Sequence, residues 1–214
     1  MSTAKSKSRP YDSSRRREKA EASRLAVLEV AGRLFYEKGY QGATVANIAS
    51  TAGVSAETVY GNFGTKADLL AEWFRVIVFG DEVLQLTDRP WVLEMRASDD
   101  FDSVVALFAA GVCRILENVY PAYSVARAAA RSDERVAEVY KVISNGRLTN
   151  LRGLAEILAA KSPRGERNDL GEIAEFMWAI VSPAVYESLT VERGWTPAQY
   201  EAHLMVWIKA EFGS

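Results

Sequence analysis

Apolar side chains recur along this chain at the three- and four-residue spacing of α-helices, and the strict alternation typical of strands is absent. The first clear stripe, over residues 24–38, contains Val27, Leu28, Ala31, Leu34 and Phe35. Gly39 predicts its end, because glycine readily takes the left-handed conformation of a helix C-terminus, and Tyr40 would fold back on Phe35. The pattern predicts an all-α fold of about nine helices.

Three shorter helices are predicted next, and hydroxyl side chains mark their starts. Thr44 is the expected N-cap of a helix that reaches about residue 51, and Ser55 that of a helix ending near residue 62. Thr65 and Asp68 form a capping-box-like pair at the start of a fourth helix, which runs toward residue 86.

The rest of the chain predicts a helical bundle. Apolar periodicity indicates helices over about residues 102–118, 121–131, 133–160 and 169–192. Loops are expected at residues 88–90, 97–100 and 162–168. Pro183 should kink the 169–192 helix near residue 179. The last helix begins with Thr196 as N-cap, Pro197 at its first position and Gln199 at its third.

Composition excludes several classes of protein. The 214 residues are 49% hydrophobic, too apolar for a disordered chain, and no apolar run is expected to cross a membrane. Residues 1–24 lack the apolar segment of a secretory signal. The lone Cys113 cannot form an internal disulfide, which suits a reducing cytoplasm. Cys113 and the single His203 are too few soft ligands for structural zinc, so neither a metal nor a cofactor is expected.

The net charge of -2 hides an asymmetry between the two ends of the chain. Residues 1–66 hold 11 Lys and Arg against 6 Asp and Glu, whereas residues 67–214 hold 15 against 22. The basic residues cluster at Arg15–Arg17, Lys19 and Arg24. A basic end ahead of an acidic body is typical of polyanion binding, although a solvated tail that only aids solubility explains the charge equally well.

Residues 44–60 have the pattern of a helix-turn-helix. Ala49 is small where two helices must cross closely, and Gly53 stands where the turn needs a positive φ. Ile48, Val54 and Val59 supply an apolar triangle between the helices. Each feature alone is a weak signal, and their common register within one short window is a strong one.

Residues 24–70 resemble the TetR-type transcriptional repressors. The matching positions are Ala31, Leu34–Phe35, Gly39–Tyr40, Thr44–Val45, Ile48–Ala49, Ala52–Ser55, Thr58, Tyr60, Phe63, Lys66 and Leu69–Leu70. The resemblance implies a basic tail at residues 1–22, a DNA-binding head at 23–70, and a helical ligand-binding and dimerisation domain at 71–214. It also implies a homodimer that binds double-stranded DNA, responds to a small-molecule effector and is not an enzyme.

Matching the family pattern position by position implies eight DNA-contacting residues: Thr44, Ser55, Ala56, Glu57, Thr58, Tyr60, Asn62 and Lys66. Thr44, Tyr60 and Lys66 stand at phosphate-contacting positions, and the others face the major groove or lie beside it. Two departures weaken base readout, because Ala56 is too short to donate a hydrogen bond and Glu57 is acidic. For Glu57 and Asn62 a solvated surface role is equally compatible with the sequence.

The region after residue 71 is rich in aromatic side chains, most of which helical spacing assigns to the core. Bundles nevertheless enclose small-molecule cavities between helices, and a mainly apolar effector is expected there. The candidate lining residues are Trp73, Phe108, Tyr123, Tyr140 and Trp178.

The last two predicted helices are expected to form the dimer interface. The first of them is apolar on more than one face, and pairing both helices with a second copy would close a four-helix bundle. The interface candidates are Val181, Val185, Leu204, Trp207 and Ile208. An enzyme is disfavoured, because the acid pairs Asp99/Asp100 and Glu187/Glu192 have no neighbouring nucleophile. A helical protein–protein module with a basic tail is the alternative function.

Overall fold

The computed structural model describes residues 13–79, 86–165 and 167–213, which form helices and no strand. Its helices are α1 (Ser13–Gly42), α2 (Val45–Ala52), α3 (Ala56–Phe63), α4 (Lys66–Phe79), α5 (Pro90–Ala97), α6 (Phe101–Ala129), α7 (Glu134–Lys161), α8 (Leu170–Ile180), α9 (Pro183–Glu187) and α10 (Pro197–Phe212). A 3₁₀ turn, Leu86–Asp88, precedes α5, and a π-helical turn, Ser188–Glu192, continues α9. The predicted all-α fold is confirmed.

The caps predicted from local sequence are present. The Thr44 hydroxyl accepts from the Asn47 N–H at 3.2 Å. At the start of α4, Asp68 accepts from the Thr65 N–H at 2.8 Å while its own N–H donates back to the Thr65 hydroxyl. The Thr196–Gln199 capping box at α10 also forms. These motifs need only neighbours three residues apart, so their geometry follows from local sequence.

The first helix is longer than its apolar stripe. Gly39 has a φ of 69° and interrupts α1 where the sequence predicts, and the Tyr40 ring lies 5.8 Å from that of Phe35. The backbone is already helical at Ser13, so the basic cluster Arg15–Arg17 belongs to α1. Residues 1–12 of the predicted tail lie outside the described residues. Alanine, glutamate and arginine between residues 15 and 24 favour this extension.

The helices predicted at 102–118 and 121–131 are one continuous helix, α6, with Pro121 inside it. A proline in a helix interior costs about 3 kcal/mol, which breaks a helix with little support. Here α6 packs against α1, α4, α5, α7, α9 and α10, so burial on both sides of the proline holds its two halves in line. The prediction of two helices is therefore wrong.

The prediction of a single helix over residues 169–192 is also wrong. This segment divides into α8 and α9 because Ser182 starts a new helix, its hydroxyl accepting from the Val185 N–H at 3.1 Å. Pro183 takes the first position of that helix, where its missing N–H costs nothing. The same preference places Pro90 at the start of α5, a helix that the sequence pattern did not predict.

The apolar core consists of two clusters that α6 connects. One joins α1–α4 to the end of α6 and the start of α7, and the other joins α5, the first part of α6, and α7–α10. Contrary to expectation, α6 is long and apolar enough to cross a membrane, with a mean hydropathy of 1.4, but half of that stretch is buried inside the fold. A helix buried on several sides has the same composition. The domain boundary at residue 70 stays a prediction.

Candidate nucleic-acid interface and adjoining cavity

The second and third helices form a helix-turn-helix around a small buried centre. Ile48 and Val59 are buried, Val54 is partly buried, and Ala49 lies at the crossing. Gly53 has a φ of 70°, and the next N–H, that of Val54, donates to the Ala49 carbonyl at 3.0 Å. The buried side chains fix which faces of the two helices remain outside.

The outward face of α3 carries most of the predicted DNA contacts. Glu57, Thr58, Tyr60 and Asn62 are exposed, and the Tyr60 side chain is 55% exposed. Thr44 and Ser55 are exposed at the starts of α2 and α3. Helix N-termini carry a partial positive charge that favours anions such as phosphate.

Some polar groups at the start of α3 form hydrogen bonds within the helix itself. The Ser55 hydroxyl lies 3.0 Å from the Thr58 hydroxyl and accepts from the Thr58 N–H at 3.2 Å. The Glu57 N–H and the Ser55 side chain lower the pKa of the Glu57 carboxyl. Ala56 is partly buried against the head core. The face therefore has one fixed negative charge and few long hydrogen-bonding side chains.

Lys66 lies at a junction between the head and the bundle. Its Nζ donates to the Tyr40 carbonyl at 2.9 Å and lies 4.2 Å from the centre of the Tyr40 ring. The Tyr40 hydroxyl donates to Asp133, the N-cap of α7, at 3.0 Å. Burial lowers the pKa of Lys66, and the nearby Asp133 opposes that effect. The Tyr40 carbonyl takes one of the three ammonium protons.

A cavity of about 650 Å³ lies between α4, α6 and α7 and is lined mainly by apolar side chains. Ala71, Phe74 and Arg75 of α4 form one wall, so the helix that begins beside the head borders the cavity. The Phe74 ring packs edge-on against Tyr123 of α6, with 4.7 Å between ring centres. A second cavity of about 300 Å³ adjoins this one, and Tyr123 lines both.

The five predicted effector contacts divide into two groups. Tyr123 lines both cavities, and Tyr140 and Trp178 line the smaller one. Trp73 and Phe108 line neither. Trp73 packs so closely on α1 that a Cβ at Gly32 would overlap its indole ring. Phe108 is fully buried in the core cluster that joins α5, the first part of α6, and α7–α10. Helical spacing marks an aromatic side chain as inward-facing but does not separate cavity from core.

Of the residues that line the large cavity, sequence reasoning found only Tyr123, and the missed ones include Trp91 and Arg147. Trp91 belongs to the unpredicted helix α5, where the preceding proline was the available signal. Arg147 shares the apolar stripe of α7 with Ile143 and Leu151, at a spacing of four residues. A lone arginine within an apolar stripe could have marked it as a cavity residue.

No metal centre is found in the described part of the chain, where no three His, Cys, Asp or Glu side chains are grouped to hold an ion. His203 packs its ring 4.8 Å from that of Trp195. Cys113 is buried, which raises the pKa of its thiol to about 11, and its Sγ donates to the Pro197 carbonyl at 3.5 Å.

The predicted interface residues are mostly internal. Val181, Leu204 and Ile208 are buried within this chain, so they cannot be the contacts that a second copy covers. Val185 is 37% exposed and Trp207 is partly exposed. Three apolar side chains that were not predicted for the interface are exposed on α8 and α10: Phe176, Trp178 and Val206. Phe176 and Trp207, with ring centres 5.4 Å apart, connect the two helices at this surface.

Comparison with known proteins identifies the head. Residues 27–73 match the family of bacterial regulatory proteins called the tetR family. The HTH-type transcriptional regulator TtgR of Pseudomonas putida is 39% identical over 56 residues, which are 26% of this chain and 27% of that protein. The match thus spans about a quarter of that relative's length.

Solved structures extend the likeness in fold along most of the chain. NalD, the secondary repressor of the MexAB-OprM multidrug efflux pump in Pseudomonas aeruginosa, is 20% identical with a TM-score of 0.61, covering 88% of this chain and 95% of its own. FadR from Bacillus subtilis in complex with stearoyl-CoA is 18% identical with a TM-score of 0.65, covering 86% and 96%. Residues 27–73 thus match the tetR family in sequence, and most of the chain shares the all-α fold of these solved structures.

Proposed function

We propose that this protein is a ligand-responsive transcriptional repressor, which binds a palindromic operator as a homodimer and is released by a small, mainly apolar effector. The observation that carries the proposal is the position of α4. This helix begins at Lys66, against the end of α1, and eight residues later its Phe74 side chain lines the large cavity. An effector in the cavity would therefore contact the helix that positions the head.

Contacts to the DNA backbone are proposed for Thr44, Tyr60 and Lys66. Thr44 is exposed at the start of α2, Tyr60 is exposed on the face of α3, and the half-buried Lys66 begins α4. Such contacts fix register on the duplex without reading sequence. Base contacts are proposed for Ser55, Ala56, Glu57, Thr58 and Asn62 on the face of α3. A carboxylate can accept from a cytosine amino group, and short methyl-bearing side chains can contact thymine.

The second copy is proposed to cover the exposed apolar surface of α8 and α10, which Phe176, Trp178, Val206 and Trp207 form. A two-fold axis through this surface would pair the same patch on both copies. The two heads of such a dimer would bind two half-sites of the operator, about 34–36 Å apart or a multiple of that distance.

Release is proposed to follow from a shift between two states of the dimer. An effector that prefers the state whose heads do not fit the operator lowers DNA affinity by the ratio of its affinities for the two states. Two proteins of similar fold support this role by analogy: FadR binds stearoyl-CoA, and NalD is a repressor. A cytoplasmic location is proposed as well, because the operator DNA of a bacterial regulator lies in the cytoplasm.

Selection of bound duplexes from a random pool tests the proposal. The purified protein should enrich a palindrome, and its affinity for that duplex should fall steeply with salt, because phosphate contacts release counterions. Failure to enrich any sequence, together with weak binding to every duplex at low salt, would exclude DNA recognition. That result would favour the helical protein–protein module instead.

A further inference from the structure

Arg147 holds a guanidinium group between the two cavities. It lines both of them, as do Tyr123 and Pro183. Its Nη1 donates to the Val181 carbonyl at 3.1 Å, and the guanidinium carbon lies 4.5 Å from the centre of the Trp178 ring. The Nε–H of Arg147 is buried and has no hydrogen-bond partner. Buried donors are nearly always paired in native proteins, so this unpaired donor requires an explanation.

The charge of Arg147 is only partly balanced by its surroundings. None of the ion pairs among the described residues includes it, although Glu138 lines the large cavity and Glu187 the small one. The phenols of Tyr123, Tyr140 and Tyr200 interact electrostatically with the guanidinium, and burial raises the pKa of Tyr123 to about 12. Val181 caps the end of α8, where the helix supplies a partial negative charge.

The large cavity has other charged groups on its wall. Arg75 and Arg89 line it together with Arg147, and Glu138 is the acidic member of its wall. Glu72 accepts two hydrogen bonds from Arg75 and balances that charge. Burial lowers the pKa of Arg147, but an arginine in a protein stays protonated. A mainly apolar cavity thus contains a fixed positive charge where it adjoins the smaller cavity.

We propose that the effector is an organic carboxylate, whose anionic head pairs with Arg147 and whose apolar body fills the large cavity toward Phe74 of α4. The carboxylate would pair with the guanidinium where it faces the cavity and so balance a charge that the protein leaves only partly compensated. Charge-assisted pairs of this kind are the stronger hydrogen bonds. This inference rests on the proposed function, since it names the chemical class of the effector.

Calorimetric titration of the purified full-length protein with matched compounds tests the inference. Decanoate, decanol and decylamine share a ten-carbon chain, and 2-naphthoate and 2-naphthol share an aromatic body. The carboxylate of at least one set should bind about tenfold more tightly than its neutral partner, because only the carboxylate pairs with the guanidinium. Decylamine should bind more weakly than decanol.

Two variants assign that preference to one side chain. Arg147→Gln should bring the ratio of acid to alcohol affinity close to one, while Arg147→Lys should retain part of it. The matched control is Arg152→Gln, which removes a charge from the exposed surface of the same helix and should leave the ratio unchanged. Circular dichroism confirms that each variant is folded, and the preference of the unmodified protein tests the inference without any variant.

The inference is overturned if neutral partners bind as tightly as the acids, if no carboxylate binds, or if the preference survives in folded Arg147→Gln. Binding and DNA release by decanol without any head-group preference would overturn the inference and leave the proposed repressor function standing. A clear preference for carboxylates with no effect on DNA affinity would support the inference and contradict release by an effector.

Discussion

At the scale of single residues, Glu57 places a carboxylate on the face of α3 that is proposed to meet DNA. Its side chain is exposed, and hydrogen bonds at the helix start lower the pKa of its carboxyl, so it is ionised at neutral pH. That charge suits the positive end of the α3 dipole and opposes the phosphate backbone. Stability of the helix and affinity for duplexes therefore make opposite demands on this position.

Replacement of Glu57 by the isosteric glutamine should strengthen binding to random-sequence duplexes by about two- to threefold, because a like charge is removed near the phosphates. Fluorescence anisotropy at low salt measures the change. Glu156→Gln makes the same change in net charge on the exposed surface of α7 and should have no effect. Unchanged or weaker binding of random duplexes by Glu57→Gln would contradict electrostatic repulsion between this carboxylate and the phosphates.

At the scale of helices, two of the polar contacts that connect the head to the elements bordering the cavity make testable predictions. Between α1 and α4, Glu72 accepts from the Arg75 Nε–H at 3.0 Å and forms an ion pair with Arg24. Between α1 and α7, Tyr40 donates to Asp133. Helices that share such contacts move together, so both contacts are expected to affect how cavity and head communicate.

The first contact predicts an acid-dependent stability. Hydrogen bonds from Arg75 and the charges of Arg75 and Arg24 lower the pKa of Glu72, and burial opposes them. A carboxylate with a lowered folded-state pKa stabilises the fold above its unfolded-state pKa, and this contribution is lost as pH falls through the folded-state pKa.

Urea denaturation of Glu72→Gln should therefore show a loss of about 1 kcal/mol in the free energy of unfolding at pH 7, and a smaller difference near pH 3. The exposed Glu94, replaced in the same way, is the control and should change little at either pH. A loss of equal size at both pH values would mean that the glutamate acts through packing and not through its charge.

The second contact predicts a change in allosteric coupling. Tyr40→Phe keeps the ring beside Phe35 and Lys66 but removes the hydrogen bond to the start of α7. The effector-dependent change in operator affinity should fall by about three- to tenfold, the net worth of one ordinary hydrogen bond, while effector binding to the free protein stays within about twofold.

Anisotropy titrations of operator with and without a bound effector measure that coupling. Tyr36→Phe removes a hydroxyl from the same helix where it contacts Tyr120 of α6, and it should leave the coupling close to normal. Full coupling in Tyr40→Phe would show that the start of α7 is not part of the connection.

At the scale of the whole molecule, the exposed apolar surface of α8 and α10 predicts how two copies associate. Phe176 is 53% exposed and contacts Trp207, so a glutamate at position 176 would place an unpaired charge in the proposed interface. Loss of a central interface aromatic typically costs about 2 kcal/mol or more, which is about a thirtyfold weaker dimer.

Sedimentation equilibrium of Phe176→Glu at micromolar concentration should show monomers where the unmodified protein shows dimers. Leu93→Glu, at a 49% exposed leucine on α5, changes the surface in the same way outside the proposed interface and should stay dimeric. A dimer that survives Phe176→Glu, or an unmodified protein that sediments as a monomer, would contradict the proposal that two copies associate through α8 and α10.

The helix-turn-helix could be predicted from the sequence because its determinants are close neighbours in the chain. A cap needs a hydroxyl three residues from an N–H, and a tight turn needs a glycine at a positive φ, as at Thr44 and Gly53. The exposure of Tyr60 and Asn62 follows from the helical period once Val59 and Phe63 are buried.

The bundle and its cavity depended on contacts between residues far apart in the chain. Pro121 lies within a continuous helix because six other helices pack on α6, whereas Pro183 begins a new helix because Ser182 caps it. Trp73 and Tyr123 are both inward-facing aromatic residues. Trp73 packs closely against α1 at Gly32 and belongs to the core, whereas Tyr123 lines a cavity. Local chemistry thus determined where helices begin and which face is apolar, and tertiary packing decided which apolar faces meet and where space remains between them.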